Sequence, residues 1–131
     1  MSTVYDLVKD RRVYSIEADR TVLEAARLMM EHGIGALPVM RNGELAGIFS
    51  ERDIMNRVVA AGRMPGTTKI SEVMTANPKG VDAGESVEEC LYLMKEFGFR
   101  HLLIVSGKEL KGLVSLRDIL LKVTAEKRSV A

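Results

Sequence analysis

Gly47-Ile48-Phe49-Ser50-Glu51-Arg52-Asp53 returns 65 positions later as Gly112-Leu113-Val114-Ser115-Leu116-Arg117-Asp118. The offset holds well outside this heptad. Upstream, Val22, Glu24, Leu28, Met29, Glu31 and Gly33 match Val87, Glu89, Leu93, Met94, Glu96 and Gly98 at the same spacing. Leu37, Glu44, Leu45 and Ile54 match Leu102, Glu109, Leu110 and Ile119. Self-similarity at a fixed offset means that one supersecondary unit has been duplicated. The copies, 1–65 and 66–131, are each marginal for an independent core by surface-to-volume scaling. Together they predict a single module with an internal pseudo-two-fold axis.

Local signals divide each copy in the same way. A short extended stretch, Val13–Ile16 or Gly80–Val81, precedes a helix announced by Thr21-x-x-Glu24 or Ser86-x-x-Glu89. Both have the capping-box pattern, in which side chains satisfy the orphan N–H groups of the first turn. Apolar residues follow at helical spacing: Val22, Ala25, Ala26 and Met29, then Val87, Cys90, Leu91 and Met94. Gly33 and Gly98 stand where a helix end takes a left-handed residue. Two strand-like runs come next, Ala36–Met40 with Glu44–Phe49 and His101–Val105 with Glu109–Val114. Asn42-Gly43 and Gly107-Lys108 suit two-residue turns of types I′ and II′. A second helix, about 51–61 or 116–125, closes each copy, and the polar tail after Lys122 is expected to fray. The fold class is α/β (α+β), a β-α-β-β-α unit used twice. Gly62–Thr68 reads as the connector. Ile70–Met74 resembles Val4–Val8 with a one-residue change of register, so each copy is expected to carry a short leading helix.

Composition excludes several function classes. Nineteen basic against eighteen acidic residues leave a net charge of +1, without the field that gathers nucleic acid or acidic membranes. Three Tyr, three Phe and no Trp offer few stacking platforms for bases. Cys90 is the sole cysteine and lies on an apolar helix face, which predicts a buried thiol. No apolar run approaches the ~20 residues needed to cross a bilayer, and the first twelve residues lack a signal-peptide core. A soluble cytoplasmic chain is the expectation. No nucleophile-base-orienter set and no metal-ligand cluster is visible, so an enzyme is not expected. His32, aligned with Phe97, is expected to pack, and Met29, Met30 and Met94 to fill core.

Four features together resemble a tandem cystathionine-β-synthase (CBS) domain pair, the Bateman module. They are the repeated β-α-β-β-α unit, the Ile70-Ser71-Glu72-Val73-Met74-Thr75 lead-in, the Ala36-Leu37-Pro38-Val39 strand and the twin Gly-h-h-Ser-x-x-Asp segments. The resemblance covers about Val4 to Lys122. It implies two halves packed through their sheets, two clefts for adenosine-containing ligands such as AMP, ATP, NAD or S-adenosylmethionine, and pairing into a homodimer. Adenine is then expected to lie among apolar strand residues such as Ile16, Ala36, Val81 and Leu102, with Leu37 and Pro38 as further ligand-binding candidates. Leu103 departs from the family pattern, standing where the first copy has Pro38.

The Ser-x-x-Asp segments straddle strand-to-helix junctions. Ser50 with Asp53 and Ser115 with Asp118 fit a capping role, since an acidic residue three after a serine cap also suits the positive end of a helix dipole. A carboxylate at a helix start can equally accept from ribose hydroxyls. By resemblance Asp53 and Asp118 are the ribose-binding residues, with Ser50 and Ser115 beside them. The copies diverge at Arg100-His101, aligned with Gly35-Ala36. Two cation-capable side chains there suit a phosphate, or else a surface arginine and a hydrogen-bonded histidine. The expected function is a nucleotide-sensing regulator that signals to a protein partner, with a ligand-free dimerisation module as the rival. Ile54, Val58 and Val59, echoed by Ile119 and Val123, are the apolar positions expected to feed a dimer interface.

Overall fold

The duplicated pattern is duplicated structure. A computed structural model describes residues 2–130, and for 128–130 the backbone only. Helix α1 (Tyr5–Val8) is followed by β1 (Ile16–Glu17), α2 (Val22–His32), β2 (Ala36–Arg41) and β3 (Glu44–Ser50). A short α3 (Glu51–Asp53) runs into a π-helix at Ile54–Val59. The second copy gives α4 (Ile70–Val73), β4 (Thr75–Ala76), β5 (Gly80–Asp82), α5 (Val87–Phe97), β6 (His101–Ser106), β7 (Glu109–Ser115) and α6 (Leu116–Val130).

Two compact units result. One is Tyr14–Pro78, and the other joins the segment through Val13 to the chain from Lys79 onward. In the first, β1 pairs parallel with β2, β2 antiparallel with β3, and β3 antiparallel with β4. In the second, β5 pairs parallel with β6 and β6 antiparallel with β7. The hairpins turn as their sequences require. Asn42 and Gly43 both have positive φ, 53° and 78°, as a type I′ turn demands, and Gly107 alone does so at the other turn.

The compact units are not the two sequence copies, because the leading helices are exchanged. Val4 N–H donates to Glu85 O at 2.7 Å and Tyr5 N–H to Ala83 O at 3.2 Å, fastening α1 to the loop before α5. In the same way, Ile70 N–H donates to Arg20 O and Ser71 N–H to Ala18 O, fastening α4 to the loop before α2. Each leading helix therefore completes the other copy's core. Val8 packs with Val81, Val87, Leu102 and Ile104, whereas Ile70 and Val73 pack with Ile16, Val22, Leu37 and Val39.

The helical stripes hold their expected positions, with Val22, Ala25 and Met29 buried on α2 and Val87, Cys90 and Met94 on α5. Met30 does not fill core; it is 79 % exposed, one position off the stripe. Thr21 and Glu24 form the full reciprocal box. Ser86 makes only half of one: it accepts from Glu89 N–H, but its own N–H donates to Glu85. The closing helices differ most from expectation. Residues 54–59 adopt π geometry, with Ala60 N–H bonded to Met55 O at 2.9 Å, and α6 runs on to Val130, past the expected end near 125. His32 packs as expected, stacked on Tyr14 with ring centroids 3.9 Å apart.

Candidate functional site

Each candidate site is built where a strand hands over to a helix. His101 faces Ser115 across the β6–β7 ladder, just as Ala36 faces Ser50 across β2–β3. Leu116 N–H donates to Arg100 O at 2.8 Å, and Glu51 N–H to Gly35 O at 3.0 Å. These bonds hold the helix start against the strand start, so residues far apart in sequence share one corner.

Both acidic residues cap their helices. Ser50 N–H donates to Asp53 Oδ2 at 2.9 Å, and Asp53 N–H donates back to Ser50 Oγ at 3.3 Å. Ser115 N–H donates to Asp118 Oδ2 at 2.9 Å, and Asp118 N–H to Ser115 Oγ at 3.1 Å. Capping accounts for one oxygen of each carboxylate. The other differs between copies. Asp53, a buried carboxylate, has Arg57 Nε at 3.6 Å and the Thr75 hydroxyl at 3.4 Å. Asp118 receives a two-pronged guanidinium from Arg11, at 3.0 and 3.1 Å. Burial works to raise the Asp118 pKa, but the Arg11 and Ser115 donors outweigh it and hold the carboxyl below its ordinary 3.8. Sequence reasoning missed Arg11 because no local pattern links it to Asp118.

The π-helix places a further residue. Arg57 donates to Met74 O at 2.9 Å and to Val73 O at 3.4 Å, satisfying carbonyls at the end of α4. It thereby ties the exchanged leading helix to the helix that carries Asp53.

An open groove of about 450 Å³ lies in the second unit, with Arg100, His101, Ser115 and Arg117 at its polar part and Leu120 and Leu121 along α6. It brings together three of the candidate residues and adds Arg117. The apolar candidates fare differently. Leu37 and Leu102 are fully buried, and with Ile16 and Val81 they belong to the cores of their own units. Strand alternation turns Ala36 and Pro38 to the opposite face of β2, where both are also buried. On β6 the same face carries His101 and Leu103; Leu103 N–H donates to Lys79 O at 3.3 Å, a bond that proline at position 38 cannot make. Among the described residues no cluster of His, Cys, Asp and Glu could hold a metal ion.

The CBS domain family matches residues 4–60 and 70–125, once for each copy. The chain belongs to the CBS-domain family. It is a tandem CBS pair. It is 38 % identical over 119 residues to the CBS domain-containing protein YhcV of Bacillus subtilis, covering 91 % of this chain and 84 % of that one. It is 34 % identical over 120 residues to Hypoxic response protein 1 of Mycobacterium tuberculosis, covering 91 % and 83 %. The structure of a CBS-domain protein from Burkholderia ambifaria superposes with a TM-score of 0.89 at 37 % identity, over 95 % of both chains. A structure of Hypoxic Response Protein I holds two coordinated zinc ions; its TM-score is 0.78 at 32 % identity, over 92 % of this chain and 98 % of that one. No helix among the described residues of the CBS pair is long and apolar enough to cross a membrane.

Proposed function

We propose that this CBS pair is a cytoplasmic regulatory module that binds an adenosine-containing ligand of the AMP, ATP or NAD class and passes a conformational change to a protein partner. One observation carries the reading: the Arg100-His101 strand start faces the Ser115-x-x-Asp118 helix start, with a groove open beside them. A helix start, a carboxylate and adjacent cations supply partners for phosphate, ribose hydroxyls and charge in turn. The matching Gly35-Ala36 corner has no cation at its strand start, so the two sites differ in their demand for phosphate. Dimerisation is supported by apolar side chains left outside the cores. Val58 and Ile119 are buried and Ile54 and Val123 partly so, but Val59, Leu120 and Leu121 stay exposed.

A second reading has its own observation. Both Ser-x-x-Asp pairs serve as helix caps, and Arg11 already pairs with Asp118. A ligand-free dimerisation module needs no more. Calorimetric titration with AMP, ADP, ATP, NAD and S-adenosylmethionine separates the two. A ligand at ~100 times its Kd stabilises by ~2.7 kcal/mol and lifts the melting temperature. Asp53→Ala and Asp118→Ala then lose binding beyond the ~1 kcal/mol that a lost cap costs in folding. Variants that melt lower yet bind like the parent support the dimerisation module. Light scattering at the mass of one chain, 14.5 kDa, overturns the dimer.

A further inference from the structure

Asp118 has a partner that its twin lacks. Arg11 reaches it from 107 residues away and takes both oxygens, Nη1 to Oδ2 at 3.1 Å and Nη2 to Oδ1 at 3.0 Å. At Asp53 the cation is Arg57 of the same helical segment, side-on through Nε at 3.6 Å, without a fork. The position that stands to α4 as Arg11 stands to α1 is the uncharged Asn77. The forked contact is therefore particular to one copy.

The two hydroxyls of a ribose need acceptor oxygens, and Arg11 occupies the ones Asp118 offers. A guanidinium donates through five fixed N–H groups and cannot share a planar fork with a diol. The two are rivals for one carboxylate. Arg11 is also placed to leave: its side chain is 47 % exposed, and its backbone follows α1 by only a few residues. Release therefore returns a charge to water without opening the core.

We propose that Arg11 is an internal competitor for the ligand at Asp118, so that the second-copy site is latched while the Asp53 site is not. This rests on the nucleotide-binding reading above. Arg11 thereby weakens the Asp118 site, whereas Asp53 faces the side-on Arg57.

A double-mutant cycle tests it by calorimetric titration of the full chain with adenosine and with AMP. The proteins are the parent, Arg11→Gln, Asp118→Ala and the double variant, with melting curves to verify folding. Adenosine carries the diol without a phosphate, so the charge of Arg11 does not attract it. Arg11→Gln is expected to tighten the weaker adenosine site about fivefold, the order of a half-exposed ion pair. The tightening disappears when Asp118 is alanine. Arg11→Lys keeps the charge without the fork and gives an intermediate affinity, which preserves the test if the glutamine variant fails to fold. Unchanged binding in Arg11→Gln overturns the latch and leaves the nucleotide reading standing. Weaker binding makes Arg11 a ligand contact and overturns the latch as well. No binding of either titrant to any of the four proteins overturns the nucleotide reading, and the latch with it.

Discussion

A methyl group added at Gly112 collides with the exchanged leading helix. An ideal Cβ there lies 2.8 Å from Val8 Cβ and 3.0 and 3.1 Å from its two methyl carbons, where ordinary contact starts at 3.4 Å. At the twin position, Gly47, the Cβ meets Thr75 O at 2.6 Å and Met74 Sδ at 2.8 Å. Neither glycine has positive φ, so close approach and not backbone freedom explains the repeated residue. Overpacking of this kind costs about 1–3 kcal/mol. Gly112→Ala belongs near the lower end, about 1–2 kcal/mol, because Val8 sits on a four-residue helix that can shift. Gly47→Ala belongs near about 3 kcal/mol, because the obstacle is a backbone carbonyl of β4, the strand paired with Gly47. At roughly 4 °C per kcal/mol for a chain of this size, melting falls by about 4–8 °C and about 12 °C respectively. Gly66→Ala is the control: its Cβ has only Leu23 Cδ2 at 3.9 Å, so the lost chain entropy of the unfolded state leaves it neutral or slightly stabilising. Thermal unfolding followed by far-UV circular dichroism reads all three. A Gly112→Ala protein that melts at or above the parent refutes the packing of α1 on β7. Equal losses at Gly66 and Gly112 refute the steric argument.

Arg100→Ala is expected to lower affinity for AMP and ATP about tenfold while sparing adenosine, as removal of one charge-assisted phosphate contact should; equal losses for all three point to damaged packing. For Asp118, the folded pKa lies below the unfolded one, so its stabilisation is present above the unfolded value and is lost as pH falls through the folded value. Asp118→Asn should therefore be less stable than the parent at pH 7, with the gap closing as pH drops below about 4; a gap unchanged at pH 3 in denaturant titrations contradicts the assignment. The Cys90 thiol, raised to about 11 chiefly by burial and further by Glu85 and Glu89, should resist an aromatic disulfide reagent at pH 8 until the chain unfolds. Rapid labelling of the folded protein counts against its burial.

Contacts between near neighbours were legible in the amino-acid order. The Thr21–Glu24 and Ser50–Asp53 boxes span three residues, the Asn42-Gly43 turn two, and the buried stripes of α2 and α5 follow the helical period. These interactions form within a turn or two of chain, so their signatures lie in adjacent letters. The twin serine-aspartate corners were legible for the same reason, and the offset of 65 supplied the architecture. Tertiary structure alone decided which leading helix completes which core. Val4–Val8 and Ile70–Met74 are similar enough that either copy could accept either one, and only the bonds to Glu85 and Arg20 fix the exchange. It also buried Leu37 and Leu102 in the cores of their units, since strand alternation sets a face but not what covers it. The π register at Ile54–Val59 has no spacing of its own to betray it. Arg11 is the sharpest case. In sequence it is one basic residue among several near the N-terminus, and only folding carries it across 107 positions to the carboxylate of Asp118.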